Sequence, residues 1–225
     1  MADVNSLKYP RKSHRKNVIL PKHSGRLAEF FGIMMGDGGI NNLWQATITL
    51  NALSDSQYSR YVSDLCKVTF GITPAMRRRK SGNALVISLA STSIIDFLVA
   101  QGLVRGNKLK GGLRIPKWIL GKSLFRKSCV RGLIDTDGCF FVHTHRVRGR
   151  IYKNIGLCFT SYSPELIFQV RDIFEENGII GHITNGGRRI YLYSANEVTK
   201  YLKVFSTSNE RILSVYKKWR DARVV

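Results

Sequence analysis

The sequence is short of acid. Among 225 residues only 15 are Asp or Glu, against 36 Lys or Arg, for a formal net charge of +21. That excess excludes an acidic solvating segment and points to a polyanionic partner, nucleic acid first. A ribosomal-type RNA binder and an anionic membrane surface are the alternatives on charge alone. Cysteine is sparse as well. Cys66, Cys129, Cys139 and Cys158 form no Cys-x-x-Cys pair, which argues against structural zinc. They read as small buried hydrophobes in a reducing, intracellular compartment. No apolar run approaches the roughly 18 residues of a membrane span. The stretch "MADVNSLKYPRKSHRKNVILPKHSG" is basic and broken by proline, unlike a signal peptide. No membrane partner is expected.

What is present is a foldable chain, 44% hydrophobic, and it runs twice. Residues 1–24 form a basic arm, with Lys8, Arg11, Lys12, Arg15 and Lys16 available for phosphates or simply solvated. From residue 25, "LAEFFGIMMGDGGI" (27–40) is echoed by "SCVRGLIDTDGCFF" (128–141). Gly32 matches Gly132, Asp37 matches Asp137 and Gly38 matches Gly138, each pair 100 positions apart. The echo continues. "ATITLNALSDSQYSRYVSDLCKVTFGI" and "IGLCFTSYSPELIFQVRDIFEENGI" each read as strand, turn and amphipathic helix. Hairpins are expected next, turning at Ser81–Asn83 and Asn185–Gly187, each followed by a helix. Such a duplication fixes the architecture before local detail does. The class is α+β, with two αββαββα units at 25–105 and 125–225 joined by a linker at 106–124. A short helix is expected to start at Pro116, and a last one over 208–220, with Thr207 and Glu210 at capping-box spacing.

Each motif helix carries a stripe of small residues. Ala28, Gly32 and Gly36 recur every four positions in the first copy, and Ser128, Gly132 and Thr136 in the second. A helical glycine costs about 1 kcal/mol, so its repetition implies a purpose: two helix backbones in close approach. A pseudo-two-fold axis along that seam brings the helix ends, and hence Asp37 and Asp137, together. Two carboxylates at negative helix C-termini repel unless cations join them. Hard oxygen ligands of this kind suit Mg²⁺ or Mn²⁺. Taken singly, an Asp-Gly step can also be no more than a helix ending.

"FFGIMMGDG" (30–38) and "VRGLIDTDG" (130–138), with "RIPKWI" upstream of the second, resemble the two motifs of a single-chain LAGLIDADG homing endonuclease. The resemblance spans roughly residues 25–220. It implies two four-stranded sheets forming a basic saddle over double-stranded DNA, and metal-assisted phosphodiester hydrolysis at a long asymmetric target, leaving short 3′ overhangs. The last acidic residue of each motif, here Asp37 and Asp137, is then the catalytic metal ligand. Gly36 and Thr136 are the positions whose backbone carbonyls can join the metal. Met35 and Asp135 stand where the family has a motif acid that is not a ligand. By strand position, Asn51 and Thr160 are matched to each other and to a polar helper of the attacking water. A basic helper is implied near the end of each unit: Lys110, or its neighbour Lys108, and Arg211. Solvated surface cations are an equal alternative for these. No obligate protein partner is implied; the chain would act as a monomer.

The implied saddle needs polar and basic side chains on one strand face. The first copy offers Gln45, Thr47, Thr49, Arg77, Arg78, Arg79, Lys80, Asn83 and Ser88. The second offers His143, His145, Arg146, Arg148, Arg150, Lys153, Arg188, Arg189, Tyr191 and Tyr193. Arg and Lys can read guanine edges and Asn or Gln adenine edges, while other contacts only grip phosphate. His143 and His145 have His-x-His spacing but no third ligand nearby, so they read as strand side chains. Three relatives of the nuclease reading were weighed. An intein endonuclease is disfavoured, since no nucleophilic Cys or Ser opens the chain and "DARVV" replaces a terminal His-Asn. Retention of both carboxylates favours cleavage over a silent DNA-binding regulator; it also favours cleavage over an RNA maturase, while leaving dual use with intron RNA as a second partner open.

Overall fold

The computed structural model describes residues 17–222. Lys8, Arg11, Lys12, Arg15 and Lys16 of the basic arm lie outside the described residues. The first unit runs α1 (Gly25–Met35), β1 (Gly38–Gly39), β2 (Gln45–Asn51), α2 (Ser56–Phe70), β3 (Ala75–Arg78), β4 (Ala84–Ala90) and α3 (Thr92–Ala100). A single turn, α4 (Lys117–Leu120), follows. The second unit repeats the order: α5 (Ser123–Asp137), β5 (Gly138–Val147), β6 (Arg150–Thr160), α6 (Pro164–Glu175), β7 (His182–Thr184), β8 (Arg189–Leu192) and α7 (Ala195–Val204), with α8 (Glu210–Asp221) last.

Helix α1 begins where the Ser24 hydroxyl accepts from the Leu27 amide at 3.3 Å. Every residue from Leu27 to Met35 is buried, the signature of a helix apolar on all sides and enclosed by protein. Its principal neighbour is α5. A methyl group on Gly32 would overlap the Cys129 carbonyl oxygen, and one on Gly132 would overlap the Glu29 carbonyl oxygen. The backbones therefore touch where the two glycines face each other. Ala28 is fully buried in the same seam.

Each unit holds a four-stranded antiparallel sheet, ordered β1-β2-β4-β3 and β5-β6-β8-β7. Burial alternates along the strands as the pleat requires. In β2, Ala46, Ile48 and Leu50 enter the core, while Gln45, Thr47, Thr49 and Asn51 occupy the open face. In β6, Ile155, Leu157 and Phe159 are fully buried, which leaves Asn154, Gly156, Cys158 and Thr160 to the other side. The second sheet carries a longer arm than the first, 10- and 11-residue strands joined at Arg148 and Gly149. Both turn residues have positive φ, 49° and 78°, the geometry of a tight two-residue hairpin. The expected turn at 185–187 is likewise left-handed, with φ of 55°, 61° and 81°.

Helix α8 packs on β5 and β6, and the Trp219 indole donates to the Lys153 carbonyl at 3.2 Å. Its cap differs from expectation. The Asn209 side chain accepts from the Arg211 amide at 3.0 Å, so Asn209 is the N-cap. Thr207 is occupied elsewhere, donating to the buried Asp135 carboxylate. Pro116, too, stands one position before its helix.

The helix seam yields the first prediction. Gly32→Ala and Gly132→Ala each force rigid backbones apart, and overpacking of this kind costs about 1–3 kcal/mol or more. Chemical denaturation should show that loss in either variant; wild-type stability in both would mean that the seam is loose.

Candidate active site and nucleic-acid interface

The seam delivers two carboxylates to one place. Asp37 follows the Gly36 cap of α1, and Asp137 is the last residue of α5. A methyl on Gly36 would lie 3.3 Å from a carboxylate oxygen of Asp137 and overlap the Thr136 hydroxyl. Gly36 thus lets the second helix end approach the first. The Thr136 hydroxyl donates back to the Gly132 carbonyl at 2.9 Å.

Between the helix ends stands Lys108. Its ammonium donates to the carbonyls of Gly36 at 2.6 Å, Met35 at 2.9 Å and Met34 at 3.5 Å. It therefore caps α1, where the helix dipole is negative. Burial pulls this ammonium below the usual lysine value, and Asp137 and Asp37 pull it back up. Lys110, the other expected lysine, points its side chain to solvent, and its amide is bound by Asn107 at 3.1 Å. The helix-end carbonyls thus select Lys108. Gly36, expected as a metal-side carbonyl, already accepts from Lys108, with one lone pair remaining.

Burial first, and then the negative Asp55, push Asp37 up to about 6; Lys108 and Arg211 oppose this. Burial and the like charge of Asp37 push Asp137 up to about 7, again against Lys108. Asp137 keeps an exposed edge, so its desolvation comes from protein crowding on the inner side. Among the described residues no donor hydrogen-bonds either carboxylate. Nor do three His, Cys, Asp or Glu side chains converge as a closed metal cage. The set is two hard oxygen ligands that lack a full cationic partner.

Arg211 is held away from the pair by Asp55, Nε to Oδ1 at 2.8 Å. Asp55 also accepts from the Asn209 amide at 3.1 Å, and the same amide group donates to the Asp135 carbonyl at 2.9 Å. Asn209 therefore satisfies the end of α5 as Lys108 satisfies the end of α1. Asp135 is fully buried, receives the Ser208 amide at 2.8 Å, and is pushed up to about 7 by burial. Glu29, also buried, accepts from Arg131, from the Tyr61 hydroxyl at 2.6 Å and from the Ser208 hydroxyl at 3.3 Å. Asp55, Glu29 and Asn209 escaped sequence reasoning because their partners lie from 32 to 179 positions away. The echo of Asn107 in Asn209 was the one available signal.

Strand register corrects one equivalence. Gly38 opposes Ile48, and Gly138 opposes Phe159. Thr160 therefore corresponds to Thr49, not Asn51. The Thr49 amide donates to the Asp37 carbonyl at 3.1 Å. Asn51 is spent on its own turn, accepting from Leu53 and Ser54 amides at 2.9 and 3.1 Å. A groove lined by Asp37, Thr47, Thr49, Arg79, Asn107 and Lys108 opens beside the pair.

The candidate interface residues divide by face. Gln45, Thr47, Thr49, Arg77, Arg79 and Ser88 share the open face of the first sheet. Lys80 lies exposed in the adjoining turn. Arg78 pairs with Leu85 on the helical face and donates to Asn83 at 3.3 Å, so neither faces with the others. In the second sheet His143, His145, Arg150, Arg189, Tyr191 and Tyr193 take the open face, and Arg148 tops the hairpin. Arg146 and Lys153 fall on the same side as Ile155 and α8, because the period of two turns them over. Arg188 lies over the Tyr162 ring at 5.6 Å.

With this geometry in hand, the comparisons are informative. Residues 125–218 match the family model of the LAGLIDADG-like domain. The I-LtrWI LAGLIDADG homing endonuclease bound to target DNA is 13% identical, aligning over 89% of this chain and 90% of its own, with a TM-score of 0.57. I-SmaMI bound to cleaved DNA is 10% identical over 89% of each chain, with a TM-score of 0.58. I-DmoI in complex with DNA and Mn is 13% identical over 82% of this chain and 97% of its own, with a TM-score of 0.54. No curated protein matches the chain. The resemblance in the motifs thus extends to the fold of nearly the whole chain, two units about one helix seam. No helix among the described residues is long and apolar enough to cross a membrane.

A carboxylate raised by burial destabilises the fold once ionised. The stability present below the unfolded value near 4 is lost as pH rises through 6 to 7. In EDTA, Asp37→Asn and Asp137→Asn should therefore melt several degrees above wild type at pH 8. The gap should close as pH falls toward 4. A gap that is constant with pH would show that the carboxylates carry no such penalty.

Proposed function

We propose that this chain, with its LAGLIDADG-like second unit and a first unit of the same fold, is a site-specific double-strand DNA endonuclease. One observation carries the reading: two carboxylates that receive no hydrogen bond among the described residues meet at the ends of packed helices, between two sheets whose open faces carry basic side chains. The pairing suits one strand per carboxylate, with short 3′ overhangs. Both carboxylates reside on one chain, so a monomer suffices. The open faces differ in sequence, so the duplex target is long and asymmetric.

The donor set fits Mg²⁺ or Mn²⁺. Such ions take one or two carboxylates and complete their shell with water and phosphate, and two raised carboxylates without donors are the site's own demand for a cation. Asp37 and Asp137 would hold the metal, with the carbonyls of Gly36 and Thr136 beside them. When bound, a divalent ion polarises the scissile phosphate and makes a bound water more acidic. Lys108 fixes the end of α1 and keeps a positive charge facing both carboxylates. Thr49 and Thr160 stand opposite the two aspartates as equivalent hydroxyls able to order water. Arg77, Arg79, Arg150 and Arg189 grip the duplex.

The test is to incubate the chain with a genomic or randomised duplex library and Mg²⁺, and to sequence the cut ends, with EDTA as control. Discrete staggered cuts, lost in EDTA, are expected. Asp37→Asn and Asp137→Asn should each reduce double-strand cutting at least a hundredfold while leaving duplex affinity largely intact. Tight selective binding with no cut under any divalent metal would sink the nuclease assignment.

Lys108 and Lys110 separate cleanly. Lys108→Ala should slow cutting by at least tenfold, with the folded fraction verified by circular dichroism. Lys110→Ala should change the rate less than twofold. The reverse order would place the assisting cation on Lys110.

A further inference from the structure

The open faces of the two sheets are chemically unlike, position for position. Superposing their registers sets Gln45, Ser88 and Ala90 of the first against Gly156, Tyr191 and Tyr193 of the second. In the second sheet Phe141 opposes Gly156 and lies across it, so that a methyl on Gly156 would overlap the ring. Tyr191 meets Phe141 edge-on at 6.1 Å, and Tyr191 stacks on Tyr193 at 5.1 Å. These rings make a continuous, low plate of aromatic carbon on the open face of the second sheet, and Tyr193 is 43% exposed. The ring faces are occupied by one another and by the glycine, so they do not offer intercalation. Arg189 borders the plate, donating to the Tyr191 hydroxyl at 3.5 Å, and a chain of net charge +21 brings a polyanion to it.

In the major groove the apolar feature of a base edge is the thymine C5-methyl, whereas guanine and adenine offer acceptor pairs suited to Arg and Gln. The first sheet has that second chemistry, with Gln45, Arg77 and Arg79 lining one groove together with Ala75, Val86 and Ser88. We infer that the two halves of the target are read by different chemistry. Thymine methyls pack on Phe141, Tyr191 and Tyr193 under the second sheet, and purine edges are hydrogen-bonded under the first. This rests on the duplex-binding reading above.

The probe is deoxyuridine, which lacks only the thymine methyl, placed in the target recovered from the library. Binding is measured in EDTA. Replacing thymines in one half should weaken binding about fourfold per buried methyl, and in the other half less than twofold. Replacing guanine by 7-deazaguanine should show the opposite bias. Phe141→Ala, and independently the more exposed Tyr193→Ala, should erase the thymine-versus-uracil difference; Arg77→Ala should erase the 7-deazaguanine effect. Equal deoxyuridine sensitivity in both halves, no sensitivity in either, or sensitivity that survives both ring deletions overturns the inference while leaving the endonuclease standing. Failure to recover any selective duplex overturns both.

Discussion

The contact between Gly32 and Gly132 governs the molecule. Two helices at ordinary packing distance would hold their ends apart. With glycine at the crossing, main chain meets main chain, and the carboxylates at the helix ends are brought into each other's field. Burial first, and then neighbouring negative charge, lifts Asp37 and Asp137 well above the ordinary carboxylate range, so the pair favours protonation or a cation. The apolar core holds them there. α1 is buried on every side, so neither helix can retreat without exposing it.

The symmetry that makes the site is broken around it. Lys108 satisfies the carbonyls at the end of α1, and the neutral amide of Asn209 does so at the end of α5. Arg211 is consumed by Asp55, which itself raises Asp37. The cation that acts on both carboxylates is therefore Lys108, from the stretch that joins the two units. Ion pairing ties the second unit to the first: Glu29 of α1 holds Arg131 of α5, and Asp55 holds Arg211 of α8. Both contacts cross between units, and both are screened from solvent on the carboxylate side. They fix the helices in rotation as the glycines fix them in distance.

The motif helices, the repeat and the seam were legible because they are local and repeated. Gly32 and Gly132 announce themselves at matched positions in matched helices. Strand faces were less legible. Arg78, Arg146 and Lys153 look like neighbours of Arg77, His145 and Arg150 in sequence, yet a period of two sends alternate residues to opposite sides. Asn51 was matched with Thr160 because both end a strand; the hydrogen-bonded register, which no single strand reveals, pairs Thr160 with Thr49. Lys108 and Lys110 are indistinguishable as composition. Only the carbonyls of residues 34–36, more than 70 positions away, discriminate between them.

The same pleat explains how one architecture serves an unequal pair of surfaces. Inward positions are constrained by a continuous core: Ile48 and Phe159 occupy matching places, as do Leu89 and Leu192. Outward positions pack among themselves rather than against the helices, as Tyr191 does on Tyr193. There Ser88 and Tyr191, or Ala90 and Tyr193, can differ without disturbing the helices beneath. The chemistry of the open faces is thus decoupled from the seam that positions the carboxylates. A substitution on the open faces leaves the aspartate pair where it is, whereas one at the glycines moves the pair and leaves the strand faces intact. The geometry of the carboxylate pair and the chemistry of the open faces are stored at different depths of the same fold, and the depth at which a residue lies decides which of the two it can alter.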